Sequence, residues 1–395
     1  MSASIAGTDW NLVARHRSAR VSDAPGGIFS ARDTVSGMLA VTQELNRGLL
    51  TYRFGFGAVY AAQDNLGFID GETGFRVYAN HSGLRFLFYP ADRLGAWVES
   101  EAGRIPLRDA SGLIFSNTDG IEAEQLGDGV RFSMSWPQTR FDVSAVSLAL
   151  LDDVINEVAP DNRTSTGLGT VILTGELQSA LLAVEQTIWF TAVGTINSRT
   201  TDSRSDSIKT GFTVEGPIGS RVMHRTTAYG SWVAEADTNA TNTAEPAFPV
   251  LLNTRLDLDA GVNWLSNIWI RMLYAGSFRG AAGFPAPAGE PVGTIYAEPP
   301  VDVLVAEAGA ATDVAIGANT GRLVPDIAIR AIGVPSGAPG PRTGFDPGGQ
   351  FMGIEFQQRL LVEPVTGFSL SAESTVLFGG PVRQSLLRFN GRLSI

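Results

Sequence analysis

Three histidines, His16, His81 and His224, are the chain's whole supply of imidazole, and no cysteine accompanies them. Without thiols there are no disulfide frameworks, no cysteine nucleophile and no thiolate metal site. The histidines fall into no metal-binding spacing, so no metal and no cofactor is expected. His81-Ser82 is an adjacent pair in an expected turn, and adjacency alone does not aim a ring nitrogen at a hydroxyl. No Gly-x-Ser-x-Gly elbow, phosphate-binding loop or dinucleotide fingerprint is present. The Gly-rich pieces 280–289 and 337–349 lack the flanking strand and helix of a phosphate cradle and read as loops. The acidic stretches 202–206 and 235–245 read as solvated loops, since calcium loops need a denser ligand series. On these grounds the chain is not expected to be an enzyme.

What remains is charge of both signs placed at every second residue of long alternating segments. The set is Arg221, Arg225, Asp257, Asp259, Arg271, Glu355, Arg359, Glu373 and Arg388. Charges of this kind on one wall of a water-filled passage would set its ion preference. The elements that position them are strands of period two. Leu256, Leu258, Ala260, Val262 and Trp264 alternate with Arg255, Asp257, Asp259 and Gly261, and Ile268, Ile270, Met272 and Tyr274 alternate with Trp269, Arg271 and Leu273. Folding the first segment on the second about 265–267 sets Trp264 by Ile268, Val262 by Ile270 and Leu258 by Tyr274. One face of that hairpin is wholly apolar and the other too charged for a dry core, where an unpaired charge costs several kcal/mol. In the last hairpin the expected register sets Phe368 against Leu393, Ala372 against Phe389 and Glu373 against Arg388.

Composition agrees. The 395 residues are 44% hydrophobic and only 17% charged, with 45 Gly and a net charge of −11. No apolar run reaches the ~18 residues of a membrane helix. Lys209 is the sole lysine, and an acidic chain with scattered arginines is not expected to bind nucleic acid.

From residue 181 onward, long strands are joined alternately by short links, such as 216–220 and 363–366, and long polar ones, such as 280–300 and 335–350. The closing strand alternates Leu387, Phe389, Gly391, Leu393 and Ile395. In this pattern the chain resembles bacterial outer-membrane β-barrels in general, with Ile395 in the place of the usual terminal aromatic. The resemblance implies an all-β, antiparallel up-and-down transmembrane barrel of about 14–18 strands. It also implies a porin-like channel or structural protein of the bacterial outer membrane. Leu256, Leu258, Val262, Trp264, Ile268, Ile270, Met272, Tyr274, Phe389 and Leu393 would face outer-membrane lipid, and the charged set would line the lumen. A homo-oligomer is an open expectation. Residues 1–36 read as an irregular arm or plug and 37–395 as a single barrel domain. The alternative is a soluble β-sandwich or jelly-roll protein of a virion or other assembled particle. It accounts for an opening, Met1 to Val21, that carries Arg15, His16, Arg17 and Arg20 with no apolar block behind them.

Overall fold

Long runs of alternating apolar and polar residues, rich in Val, Ile, Thr and aromatics, can only be strands, and strands need partners on both edges. In the computed structural model the described residues are 8–24, 29–45, 50–66, 72–88, 97–107, 109–115, 126–148, 170–181, 184–197, 204–236, 249–262, 265–277, 303–316, 321–333, 351–365, 368–378 and 383–394. They form one sheet of nineteen strand segments. In chain order these are β1 (Thr8–Ala24), β2 (Phe29–Leu45), β3 (Leu50–Leu66), β4 (Glu72–Phe88), β5 (Trp97–Pro106), β6 (Leu126–Trp136), β7 (Thr139–Leu148), β8 (Thr170–Leu181), β9 (Gln186–Asn197) and β10 (Arg204–Ile218). They continue as β11 (Val222–Ala236), β12 (Pro249–Val262), β13 (Leu265–Ser277), β14 (Val303–Ala311), β15 (Val314–Ile316), β16 (Gly321–Gly333), β17 (Phe351–Val365), β18 (Phe368–Phe378) and β19 (Arg383–Ser394).

Each strand pairs antiparallel with the next, and β1 pairs with both β2 and β19, so the sheet closes on itself. β15 continues β14: both lie in one register against β16, interrupted opposite Pro325, which has no N–H to give the ladder. Nineteen segments less this one interruption make eighteen staves. The fold is an all-β, antiparallel up-and-down barrel. A single closed ring leaves no second sheet to pack against, which removes the sandwich and jelly-roll alternative.

Three local expectations are corrected. The segment expected to be an irregular arm, 1–36, contains β1 and the start of β2. Ser, Ala and Arg fill both registers there and erase the hydrophobic period, yet β1 is specified by the two open edges it covers. His81-Ser82 lies inside the continuous β4 rather than in a turn, with Asn80 as an extra residue between the Gly55–His81 and Phe56–Ala79 pairs. The β12/β13 register is also tighter than expected. Leu256 pairs with Ile270 and Leu258 with Ile268, and a bulge separates the Asp259–Asn267 and Val262–Leu265 pairs. Gly261, with φ of 65°, takes the left-handed turn inside that bulge. As far as Asp259 the register moves by an even number of residues, so both faces keep their members; past the bulge Val262 pairs with Leu265, on the parity of Asn267 and Trp269, and leaves the outer face expected for it. In the last hairpin the pairs are Phe368–Leu393, Ala372–Phe389 and Glu373–Arg388, the ones the sequence predicts.

The two faces separate cleanly. Leu177, Phe190, Phe212, Leu252, Leu258, Ile270, Met272, Ile329 and Phe389 are exposed on the outer face. The opposite parity carries the polar and charged residues and turns inward. Toward the long-connection end of β12–β16 it also carries buried Leu251, Leu273, Val305 and Ile332.

Candidate functional site

After Pro106 the chain leaves the wall and turns into the ring. Asp109 organises that turn: its carboxylate accepts the backbone N–H of Ser111 (3.0 Å) and of Phe115 (2.7 Å) and the Ser111 hydroxyl, while its carbonyl accepts Gly112 N–H (3.1 Å). This is an Asx-type turn, and Gly112 supplies the φ of 68° it needs. Leu107, Leu113, Ile114 and Phe115 are buried around it. Burial pushes the Asp109 carboxyl above its usual range, and the Ser111 and backbone hydrogen bonds oppose that rise. Two charged side chains pin the segment from opposite sides: Glu176 of β8 accepts Ala110 N–H at 2.9 Å, and the Arg225 guanidinium of β11 donates to the Ala110 carbonyl. The segment 109–115 therefore lies against the inner wall of β8–β11.

A cavity opens on each side of it. One of about 410 Å³ is lined by Asp109, Arg131, Arg140, Asp142, Glu176 and Trp189. Another, of about 240 Å³, is lined by Ser111, Glu215, Arg225, Arg255, Asp257 and Arg271. Most charges on these walls are paired at close range. Arg140 binds Asp142 at 2.7 and 3.1 Å, Arg255 binds Asp257 twice at 2.8 Å, and Arg225 approaches Glu215 at 3.4 Å. Arg255 also lies over the Trp269 ring, 5.3 Å from its centroid.

Across the strands the register assembles a single row of charges. Glu215, Arg225, Arg255, Arg271, Glu307, Arg330 and Glu355 are successive direct partners on β10, β11, β12, β13, β14, β16 and β17. Its far half is tightly bonded: Arg330 reaches Glu307 at 2.9 Å and Glu355 at 2.6 Å, Trp269 Nε1 donates to Glu307 at 2.9 Å, and Arg271 Nε donates to Asn253 at 2.8 Å. Gly309, beside Trp269, leaves room for the indole, since an added Cβ would run into its ring. A second row, Asp326, Arg359, Glu373 and Arg388, alternates in sign across β16–β19, with Arg359 on Asp326 at 2.6 Å.

Of the residues singled out by sequence, Arg225, Asp257, Asp259, Arg271, Glu355, Arg359 and Glu373 lie at inward-facing positions, all but Asp257 and Asp259 in these two rows, and Arg388 holds its register place opposite Glu373. Arg221 does not stand on a strand. It sits in the turn between β10 and β11, where its carbonyl accepts Asp259 N–H at 2.8 Å, at the short-link rim. Leu256, Leu258, Ile268, Ile270, Met272, Tyr274 and Phe389 are exposed or half-exposed on the side away from the rows, whereas Val262, past the bulge, is exposed on the parity of its partner Leu265, the side the rows face. Trp264 lies outside the described residues, as do the side chains of Arg388 and Leu393. His224 shares the outer face, where its Nε2 meets Gln186 Oε1 at 2.6 Å across Gly216, whose missing Cβ leaves space for the glutamine.

Sequence reasoning missed the whole inward segment with Asp109, its anchor Glu176, and the partners Glu307, Arg330 and Asp326. Asp-x-Ser-Gly at 109–112 is a legible turn signal, but nothing in it says that the turn points inside. Glu307 and Arg330 stand in Ala-rich strands joined by an intermediate link, so their register could not be counted from a tight turn.

No protein-family model and no curated protein sequence matches the chain. Solved structures do match it over nearly its full length. Pseudomonas aeruginosa OpdQ aligns with a TM-score of 0.59 at 9% identity, covering 99% of each chain. Pseudomonas aeruginosa OccK2 (OpdF) in complex with glucuronate aligns with a TM-score of 0.57 at 10% identity, covering 98% of each. Acinetobacter baumannii OccAB4 aligns with a TM-score of 0.56 at 8% identity, covering 99% of each. The fold is that of an outer-membrane porin barrel. At such identities the likeness is one of architecture, and the residues of this barrel carry their own argument.

Proposed function

We propose that the chain is a passive channel of the bacterial outer membrane for small hydrophilic solutes, narrowed by the inward segment 109–115. The observation that carries the reading is that segment itself: a turn pinned to the wall inside a closed ring, with a cavity on each side. The outer face, with Leu258, Ile270, Met272 and Phe389 exposed, supports outer-membrane lipid as the surrounding medium. Glucuronate in OccK2 supports small polar cargo in a barrel of this architecture. In this reading Arg225, Asp257 and Asp259 lie along the passage, Arg221 stands at its rim, and Glu176 and Arg225 hold the constriction in place. Because the charges on the passage are mostly paired, its ion preference is weak.

Reconstitution into planar bilayers tests this. The folded protein should give discrete conductance steps, and Arg225→Ala, which releases the Ala110 carbonyl, should raise the mean conductance and its fluctuations. A correctly folded barrel, judged by heat-modifiable gel mobility, that gives no steps overturns the proposal.

A further inference from the structure

The charged row passes from wet to dry along its length. Side-chain exposure is 39% at Glu215, 37% at Arg225 and 34% at Arg255, then drops to 7% at Arg271, 6% at Glu307 and 0% at Glu355. The same change runs through the neighbouring row on the short-link side, from exposed Met223 and half-exposed Asp257 to buried Trp269, Gln357 and Thr375. The row on the other side, with Thr213, Thr227, Asn253, Leu273, Val305 and Ile332, is buried throughout. Met223, which faces inward on β11, is by contrast well exposed. An inward side chain beside a column of water keeps part of its surface wet. In the charged row and its short-link neighbour the side chains of β13–β18 keep little or no surface wet, whereas those of β10–β12 keep part of it; Arg359, one row nearer the short-link rim, is again about half exposed. The second cavity reaches Arg271 at the border between the two.

We infer that solutes cross this barrel along one side of its lumen, past Arg140, Glu176, Arg225, Arg255 and Asp257. The opposite wall, with Glu307, Arg330 and Glu355, is sealed and never meets them. This rests on the channel reading above and adds to it: Glu307, Arg330 and Glu355 contribute nothing to the field that a solute feels directly. It also assigns specificity to the residues around the two cavities, among which Arg140, Asp142 and Glu176 stand outside the set that alternation alone selects.

The absence of cysteine makes the test direct. Single cysteines at Met223→Cys and Glu215→Cys on the open side, and at Gln357→Cys and Thr375→Cys on the sealed side, are exposed in bilayers to a cationic methanethiosulfonate. The open pair should be modified at least ~10-fold faster than the sealed pair, since reaction follows thiolate access, and modification should alter single-channel conductance only there. Labelling in denaturant confirms that all four thiols are present, and heat-modifiable mobility confirms that each variant is folded. If the channel conducts and both sealed positions react as fast as the open ones, one-sided passage is overturned while the channel reading stands. If the unmodified protein conducts nothing, the channel reading falls and takes this inference with it.

Discussion

Glu215, Arg225 and Arg255 occupy one end of a register row whose other end is Glu307, Arg330 and Glu355, and the two ends behave differently although they draw on the same residue types. At the wet end each pair is screened by solvent and contributes between nothing and ~1 kcal/mol. At the dry end every charge has lost its hydration, and only the alternation of Glu, Arg and Glu at 2.6–2.9 Å restores it. The comparison teaches that alternation identifies which way a side chain points, while burial decides whether its charge is used for the passage or for the wall.

The largest expected break comes from Arg330→Ala. It strands Glu307 and Glu355 in a dry environment and should cost ~3–5 kcal/mol, read from reversible urea unfolding in detergent or lipid. A loss below ~1 kcal/mol would erase the distinction between the two ends. Gly309→Ala forces a methyl against Trp269 and should cost ~1–3 kcal/mol with a shift in tryptophan emission, because the indole that holds Glu307 must move. Arg255→Ala, at the wet end, should change stability by no more than ~1 kcal/mol while altering ion selectivity in bilayers. The smallest effect concerns acidity. The Asp109 carboxyl is raised by burial, so its contribution to holding the turn is complete below the ordinary aspartate range and fades as pH climbs through the raised value. Conductance should therefore rise slightly as pH climbs through that raised value, and Asp109→Asn should flatten the rise.

The legibility of these features in the sequence follows from geometry. The last hairpin could be registered because a short link fixes where pairing starts, and from there Glu373 and Arg388 must meet. β12 and β13 kept their faces as far as Asp259 but not their partners, because the bulge at Gly261 and the early start of β13 at Leu265 shorten the hairpin. The dry end of the row is written across β13, β14 and β16, whose connections include the long 278–302, so no turn-counting could align Arg271 with Glu307 and Arg330. β1 was hidden because a strand flanked by its own chain's last strand needs no apolar stripe of its own to be held there. The inward segment is the furthest from legible, since the direction of a turn is set by what it meets, and Glu176 and Arg225 lie far along the chain.

The seam between β1 and β19 has a consequence for how the barrel comes to exist. Every other ladder joins strands that are neighbours along the chain, or nearly so, and can zip from its own connection. Val13 finds Ser394 only after the whole intervening chain has been laid down. Closing so long a loop is entropically costly but only logarithmically sensitive to length, so lengthening a surface connection should hardly disturb assembly. Trimming β19 is a different matter, because it leaves two bare edges facing each other across a gap. The circle is thus a kinetic commitment made at a single latch, and a cut between paired strands elsewhere, with the two ends of the chain joined at the seam, would move that latch without changing the finished ring.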